Sequence, residues 1–277
     1  MTDVVADDGP GPSAEIGELE HVQLSRGIRV RQFQTRLHEA TCLDAGEAQG
    51  KAKKLLRKGG FDYAPVHFEG KLQGYVAEED LEADADDPVR SRLRPITDGI
   101  IVSGDAPFSE LLRWLDAGFL FVLEGNRLTG FVTPADTNKH AARSYFYLLV
   151  SQVEVGLARL ISSHFEAVDE ALHLLAEDRR ERIEARLRSD REKNLDADVV
   201  SYFEFCDLAT VAGKTKAIRL GYSYNRWKSV TGSLTRFRNW VMHPCSGTRE
   251  TYTIAKLIDL EGRLIELSAG IRKARQV

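Results

Sequence analysis

Hydrophobic and polar positions follow two different periods along this chain. Between about 25 and 139, short apolar runs rich in valine, leucine and phenylalanine are separated by glycine-containing turns, which is typical of strands in hairpins. From about 141 onward, apolar residues recur every three or four positions, as they do in amphipathic helices. The pattern therefore predicts an α/β region followed by an all-α helical bundle.

The α/β region repeats itself. Hairpins are predicted at 61–80 and 119–136, and their equivalent residues pair at one constant offset: Gly74 with Gly130, Val76 with Val132, and Asp80 with Asp136. Helices are predicted before the hairpins, at 45–58 and 105–116, and strands before those helices, at 41–43 and 100–102. A further helix is predicted to begin at the end of each hairpin. Each repeat is therefore predicted to be β-α-β-β-α, and the two are expected to pack face to face.

Five amphipathic helices are predicted in the second region. Their expected bounds are 145–161, 165–188, 199–211, a fourth from Ser229 or Thr231 to His243, and 250–273. Two domains suit a chain of 277 residues, with boundaries at 25–139 and 140–277. Residues 1–24 are acidic, contain Gly9-Pro10-Gly11-Pro12 and have little apolar content, so they are expected to form a flexible leader.

The charge of the chain is unevenly distributed. A net charge of −4 argues against a generic nucleic-acid coat protein, yet no acidic residue occurs in the basic window at 208–249. Six basic residues of this window are candidate RNA contacts: Lys214, Lys216, Arg219, Arg226, Lys228 and Arg236. Aromatic residues lie between them, and their faces can stack on bases. The alternative is a solvated basic face whose aromatic residues lie in the core.

The basic window ends in the most compact group of chemically active side chains in the chain. Arg238, Asn239 and His243 lie within six positions, and Pro244 ends the helix directly after the histidine. An arginine and a histidine held together can stabilise a phosphate and transfer a proton. On an ideal helix these two residues are separated by about 140° and roughly 7.5 Å, so the arginine must reach toward the helix end. The alternative is a packing pair at the end of a helix.

Membrane, secretory and metal-binding classes are not expected. The apolar runs are too short to span a membrane, and residues 1–24 lack the apolar core of a signal peptide. The three cysteines, Cys42, Cys206 and Cys245, have no metal or redox spacing, so we expect reduced thiols in the cytoplasm. Cys245 lies two residues after His243, but no further ligands are spaced to complete a metal site.

Residues 25–139 resemble a tandem pair of CBS (cystathionine β-synthase) domains. The resemblance rests on the hairpins and on the segment Gly130-Phe131-Val132-Thr133-Pro134-Ala135-Asp136. It implies that Thr133 binds the phosphate and Asp136 the ribose of an adenine nucleotide such as AMP or ATP, at a helix N-terminus. In the first repeat Ala77 stands where the hydroxyl is needed, so that site is expected to be empty or altered. Helix capping is the alternative role for Thr133 and Asp136.

Residues 141–273 resemble the HEPN family, whose helical bundles usually dimerise and often cleave RNA. The resemblance rests on Arg238-Asn239, three intervening residues, His243 and Pro244 late in a bundle, and on Glu154 in the first helix, where the family often has a polar residue. It implies metal-independent cleavage in which the RNA 2′-OH attacks and a 2′,3′-cyclic phosphate remains. His243 would then exchange the proton, Arg238 would stabilise the charge on the phosphorane, and Asn239 would orient the site.

Together these features predict an endoribonuclease of toxin, stress or phage-defence type. It would need no cofactor for catalysis and would be regulated by an adenine nucleotide on the CBS pair. Its expected partners are RNA, the nucleotide and a second copy of the chain, with no membrane; an antitoxin or other regulator is left open. The alternative is a non-catalytic nucleotide-sensing dimer whose helical domain binds RNA or a protein partner.

Overall fold

The computed structural model describes residues 24–25, 27–167, 169–195, 198–243 and 252–275. The chain divides into two compact units: the first unit is Ile28–Ala142, and the second unit contains Arg143 and the residues that follow it. The first unit is α/β and the second is helical, which confirms the prediction from the hydrophobic pattern. The expected flexible leader at 1–24 lies almost entirely outside the described residues.

The first unit contains two four-stranded sheets, in the orders β2-β3-β4-β5 and β1-β8-β7-β6. The strands are β1 Thr35–Arg36, β2 Leu43–Asp44, β3 Tyr63–Phe68, β4 Lys71–Ala77, β5 Arg94–Pro95, β6 Ile101–Ser103, β7 Leu120–Glu124 and β8 Arg127–Val132. Helix α1 is Gln49–Gly59 and helix α2 is Phe108–Trp114. In each sheet the strand before the helix is parallel to the first strand of the hairpin: β2 pairs with β3, and β6 pairs with β7. The predicted strand-helix-hairpin repeat is therefore confirmed.

Each sheet is completed by a short strand that precedes the other repeat. Strand β1 precedes the first repeat but pairs with β8 of the second, with Thr35 opposite Phe131. Strand β5 precedes the second repeat but pairs with β4 of the first, with Arg94 opposite Tyr75. The sequence analysis did not predict these lead-in strands, because two residues are too few to show an alternating pattern.

The helix predicted after each hairpin is wrong in type. The chain forms 3₁₀ helices at Glu78–Asp80 and Pro134–Asn138 instead of longer α-helices. The first ends because Leu81 becomes extended and is buried in the core of the first repeat. The second ends at Lys139, which is extended and whose ammonium group donates to the carbonyl of Phe33 at 2.6 Å. Each repeat is therefore β-α-β-β, and its hairpin is followed by a 3₁₀ helix instead of the predicted α-helix.

Aromatic rings join the two repeats. The ring of Phe119 stacks on Tyr75 at 4.4 Å and on Phe131 at 5.0 Å between centroids. Tyr75 and Phe131 occupy equivalent positions in the two hairpins and are almost fully buried. Such rings contribute much of the apolar area in a core, so this stack fixes the two hairpins relative to each other.

From His140 onward the described residues form six α-helices, and their bounds differ in places from the predicted ones. They are α3 His140–His164, which begins at the end of the first unit, α4 Asp169–Leu172, α5 Glu177–Glu192, α6 Phe205–Lys214, α7 Tyr224–Met242 and α8 Ile254–Arg275. The single helix predicted at 165–188 is interrupted, because Ala176 is extended and caps α5. The predicted start of the last helix at Glu250 lies outside the described residues.

Capping explains two further differences. Residues Val199–Tyr202 are 3₁₀ rather than α-helical, and α6 begins after Glu204, whose backbone N–H donates to the side chain of Asp207. Helix α7 begins at Tyr224, five residues before Ser229, the first of its two predicted starts. It begins there because the Ser223 side chain accepts a hydrogen bond from the backbone N–H of Arg226. No described helix has the combination of length and apolar character needed to cross a bilayer.

Candidate functional sites

A cavity of about 330 Å³ in the first unit contains both residues proposed for nucleotide binding. It is lined by Thr35, Glu39, Ala40, Thr41, Gly60, Phe61, Asp62, Tyr63, Phe131, Thr133, Ala135 and Asp136. Both repeats and the lead-in strand β1 therefore contribute to it. The volume lies at the lower end of the range of roughly 300–1,000 Å³ for small-molecule sites.

Thr133 and Asp136 form a capping box at the start of the second 3₁₀ helix. The backbone N–H and the hydroxyl of Thr133 donate to Asp136 Oδ2 at 2.6 and 3.2 Å. Capping, the alternative given by the sequence, is therefore one role of this pair. The phosphate was expected at the N-terminus of an α-helix that begins at Pro134. The structure has a five-residue 3₁₀ helix there instead.

Lys139 supplies the charge partner of Asp136. Its ammonium group lies 2.6 Å from Asp136 Oδ1 and also donates to Thr35 Oγ1 at 3.2 Å. Asp136 is only 6% exposed, and a carboxylate so buried requires such a partner. Sequence analysis missed Lys139, although its spacing of three residues from Asp136 is a recognised ion-pair signal.

The lining of the cavity is acidic and aromatic. Glu39 and Asp62 are exposed at the cavity and add negative charge to that of Asp136, whereas no lysine or arginine is among its lining residues. Phe131 and Tyr63 add aromatic surface, and burial raises the pKa of Tyr63, which keeps its hydroxyl protonated. This lining suits a ligand with a flat ring and hydroxyl donors better than one with several phosphates inside the cavity.

The equivalent position in the first repeat is arranged differently. Arg94 donates to both carboxylate oxygens of Asp80, at 2.7 and 2.9 Å, and its guanidinium lies 5.9 Å from the ring centroid of Tyr75. The hydrogen bonds to Asp80 hold the pKa of Arg94 above its usual value. Sequence analysis expected an altered site here from Ala77, but it gave no sign of Arg94, which lies fourteen residues after Asp80.

The candidate catalytic residues lie at the C-terminal end of α7. Arg238 Nε donates to Glu154 Oε1 of α3 at 3.2 Å, and both side chains are about one-fifth exposed. Asn239 and His243 are exposed, and the backbone N–H of His243 donates to the carbonyl of Asn239. Arg238 is thus held by a carboxylate from another helix, while Asn239 and His243 lie at the surface of the unit.

A second arginine lies at the same helix end. Arg143 of α3 donates to the carbonyl of Trp240, and its guanidinium lies 4.2 Å from the centroid of the Trp240 ring. A cation there interacts favourably with the negative end of the helix dipole. Sequence analysis missed Arg143, because nothing in its neighbourhood along the chain marks it.

The aromatic residues of the basic window lie partly in the core and partly at the surface, whereas most of its cations are exposed. Trp227, Phe237 and Trp240 are at most 7% exposed, so for these three the core interpretation holds. The exposed cations are Lys214, Lys216, Arg226, Lys228 and Arg236. Arg219 is half-buried, and its Nε lacks a hydrogen-bond partner among the described residues. Tyr224 is 48% exposed, so any RNA would contact this surface through charge and through that ring.

The described part of the chain contains no group of three or more metal-ligating side chains that could hold an ion. Cys42 is half-buried and Cys206 is exposed, and burial raises the pKa of both thiols. Cys245 and Pro244 lie outside the described residues.

Comparison with known proteins gives matches only among solved structures. No family model matches the chain, and no curated protein does. The CBS domain of a bacterial CNNM/CorC family Mg²⁺ transporter in complex with ATP is 18% identical, with 48% of this chain and 96% of that chain covered and a TM-score of 0.37. CBSX2 in complex with AMP is 19% identical, with 43% and 97% covered and a TM-score of 0.36.

A third similar structure is a hemolysin-like protein containing a CBS domain from Oenococcus oeni PSU. It is 15% identical, covers 43% of this chain and 93% of its own, and has a TM-score of 0.36. Similarities at this level do not assign the chain to a family, and they add no argument to the geometry of the site.

Proposed function

We propose that the first unit is a tandem CBS pair that binds an adenine nucleotide and regulates the activity of the helical unit. The observation that carries the proposal is the cavity in which Thr133 and Asp136 lie together with aromatic surface from Phe131 and Tyr63. An adenine ring can stack on these aromatic faces, and ribose hydroxyls can donate to a carboxylate.

The capping box limits how the nucleotide binds. Asp136 already accepts from the backbone and hydroxyl of Thr133 and from Lys139, and a carboxylate offers about four acceptor positions. One ribose hydroxyl therefore fits without rearrangement. The Thr133 hydroxyl reaches a phosphate by rotating away from Asp136. Because Glu39 and Asp62 repel further negative charge, we expect AMP to bind more tightly than ATP.

Isothermal titration calorimetry with adenosine, AMP and ATP tests this proposal. Asp136→Asn keeps the shape of the side chain but loses its charge, so AMP affinity is expected to fall about tenfold or more, since a hydrogen bond to a charged group contributes about 1.5–3 kcal/mol. Asp80→Asn is the matched control, because Arg94 already holds that carboxylate. Unchanged AMP binding by Asp136→Asn, or no binding by the wild type, would refute the proposal.

RNA cleavage at the end of α7 is the second candidate function. The observation that favours it is Arg238 held by Glu154 while Asn239 and His243 are exposed on the same helix end. An arginine fixed by a carboxylate is preorganised for a phosphate, and an exposed imidazole can exchange protons with a 2′-OH. In the reaction the 2′-oxygen would attack phosphorus, the 5′-oxygen would leave, and a 2′,3′-cyclic phosphate would form. A second copy of the chain would supply the other half of the cleft.

Incubation of the full chain with RNA in EDTA tests the second candidate, with and without AMP. His243→Ala is expected to reduce cleavage about a hundredfold or more, the usual contribution of a general acid or base. His173→Ala is the matched control, because His173 is exposed in the same unit and contacts Arg180. Equal cleavage by wild type and His243→Ala would rule out catalysis here. RNA retained on a filter without cleavage would instead favour the binding-only alternative.

A further inference from the structure

The lead-in strands of the two repeats differ at the residue that lies opposite the buried aromatic ring of each hairpin. Thr35 of β1 lies opposite Phe131, and Arg94 of β5 lies opposite Tyr75. Phe131 and Tyr75 are equivalent residues of the two hairpins, at the same offset as Asp136 and Asp80. Residues directly opposite in an antiparallel pair have their Cβ atoms about 4.5–5.5 Å apart on one face of the sheet. Thr35 and Arg94 are therefore structural equivalents, each beside an aromatic ring.

In the first repeat the arginine reaches the carboxylate. Arg94 makes two hydrogen bonds to Asp80, and its guanidinium lies over the ring of Tyr75. It thus meets both groups whose equivalents in the second repeat, Asp136 and Phe131, line the cavity. The guanidinium of Arg94 lies over the ring on which a base would stack, and it bonds to the carboxylate to which a ribose would donate. It therefore occupies both contacts that a nucleoside would need.

In the second repeat the equivalent side chain is short. Thr35 ends one atom beyond its Cβ, and its hydroxyl accepts from Lys139. The space beside Phe131 and Asp136 is part of the cavity, and Thr35 forms part of its wall. The charge of Asp136 is balanced by Lys139 from its own turn rather than by a side chain that crosses the cavity.

We propose that the residue at this position of the lead-in strand decides whether each repeat has an open ligand site. Arg94 closes the first site as an internal substitute for the ligand, and Thr35 leaves the second site open. The chain therefore binds one ligand rather than two. The part of this inference that concerns AMP rests on the proposed function, whereas the part that concerns Arg94 does not.

The first test transfers the arginine. AMP is titrated into wild type, Thr35→Arg and Asn126→Arg, the last of which adds the same side chain at the exposed turn of the second hairpin. We expect one AMP per wild-type chain, at least a tenfold loss of affinity in Thr35→Arg, and wild-type affinity in Asn126→Arg. Wild-type affinity in Thr35→Arg, or a crystal structure of that variant with the introduced guanidinium in solvent, would overturn the inference.

The second test uses no nucleotide. Arg94→Thr leaves Asp80 and Tyr75 with a space shaped for guanidinium, so millimolar guanidinium chloride is expected to raise the melting temperature of this variant but not of the wild type, relative to equal sodium chloride. No difference between the variant and the wild type would overturn the role of Arg94. If the wild type binds no AMP, the proposed function fails, and this second test still decides whether Arg94 fills a site.

Discussion

Replacement of Gly118 by alanine is expected to destabilise the first unit strongly, because this glycine is required for two separate reasons. Its φ is 82° and its ψ is −31°, a conformation that residues with a Cβ rarely adopt. An alanine Cβ built there would also overlap the hydroxyl of Tyr63 and lie 3.2 Å from Cζ of that ring. The substitution therefore combines backbone strain with a steric clash.

The two effects have separate magnitudes. The left-handed conformation costs about 1–2 kcal/mol in a residue with a side chain, and overpacking of a filled site costs about 1–3 kcal/mol. The sum for Gly118→Ala is about 2–5 kcal/mol. Gly125 is the matched control, because its φ is 61° and no neighbouring heavy atom of the described residues lies within 4 Å of where its Cβ would be. Gly125→Ala should therefore cost only about 1–2 kcal/mol.

Hydrogen exchange measured by mass spectrometry on the full chain reports the free energy of unfolding of β7 and β8 directly. Tyr63→Phe combined with Gly118→Ala removes the overlapping oxygen and is expected to recover most of the steric part. Because Tyr63 lines the cavity, Gly118→Ala should also weaken AMP binding more than Gly125→Ala does. Equal free energies for the two alanine variants would show that the clash with Tyr63 does not exist.

Two further predictions concern other contacts. Hydrogen bonds, the larger from Gln34, lower the pKa of Glu124 from 4.5, so the stability that this carboxylate contributes is present above that value and is lost as the pH falls below it. Urea titrations should therefore show Glu124→Gln less stable than wild type at pH 7, and the difference between the two should shrink as the pH falls below 4.5. Trp227→Phe removes the 2.7 Å hydrogen bond from the indole to the carbonyl of Ala209 and leaves a cavity. The free energy of unfolding of α6, measured by hydrogen exchange, is therefore expected to fall by about 2–3 kcal/mol. Exchange equal to that of wild type would contradict this.

The hairpins, the helices before them and the bundle could be predicted from the sequence, because each shows its period over several residues. The lead-in strands could not, since pairing of Thr35 with Phe131 depends on contacts between distant parts of the chain. The 3₁₀ helices were predicted as α-helices because a capping sequence marks where a helix begins but not how far it continues. Burial of Leu81 and the hydrogen bond from Lys139 decide the length.

Residue types identified part of the candidate sites but not their environment. Thr133 and Asp136 do line one cavity, yet the sequence could not show that Lys139 already neutralises the aspartate. It placed Glu154 in the first helix, whereas only the structure shows its hydrogen bond to Arg238. Nucleotide binding and catalysis at these residues stay predictions until the assays above are made.

The exchange of lead-in strands has a consequence for synthesis of the chain on the ribosome. The first sheet is formed by one contiguous segment, from Leu43 to Pro95, and all its strands are available once that segment has emerged. The second sheet needs β1, the first of the described strands to be synthesised, and β8, which ends at Val132. At about 5–20 residues per second, translation from Arg36 to Val132 takes about 5–19 s, during which β1 must wait without its partner. The earliest strand of the first unit is thus among the last to be placed, and its pairing completes the cavity wall at Thr35.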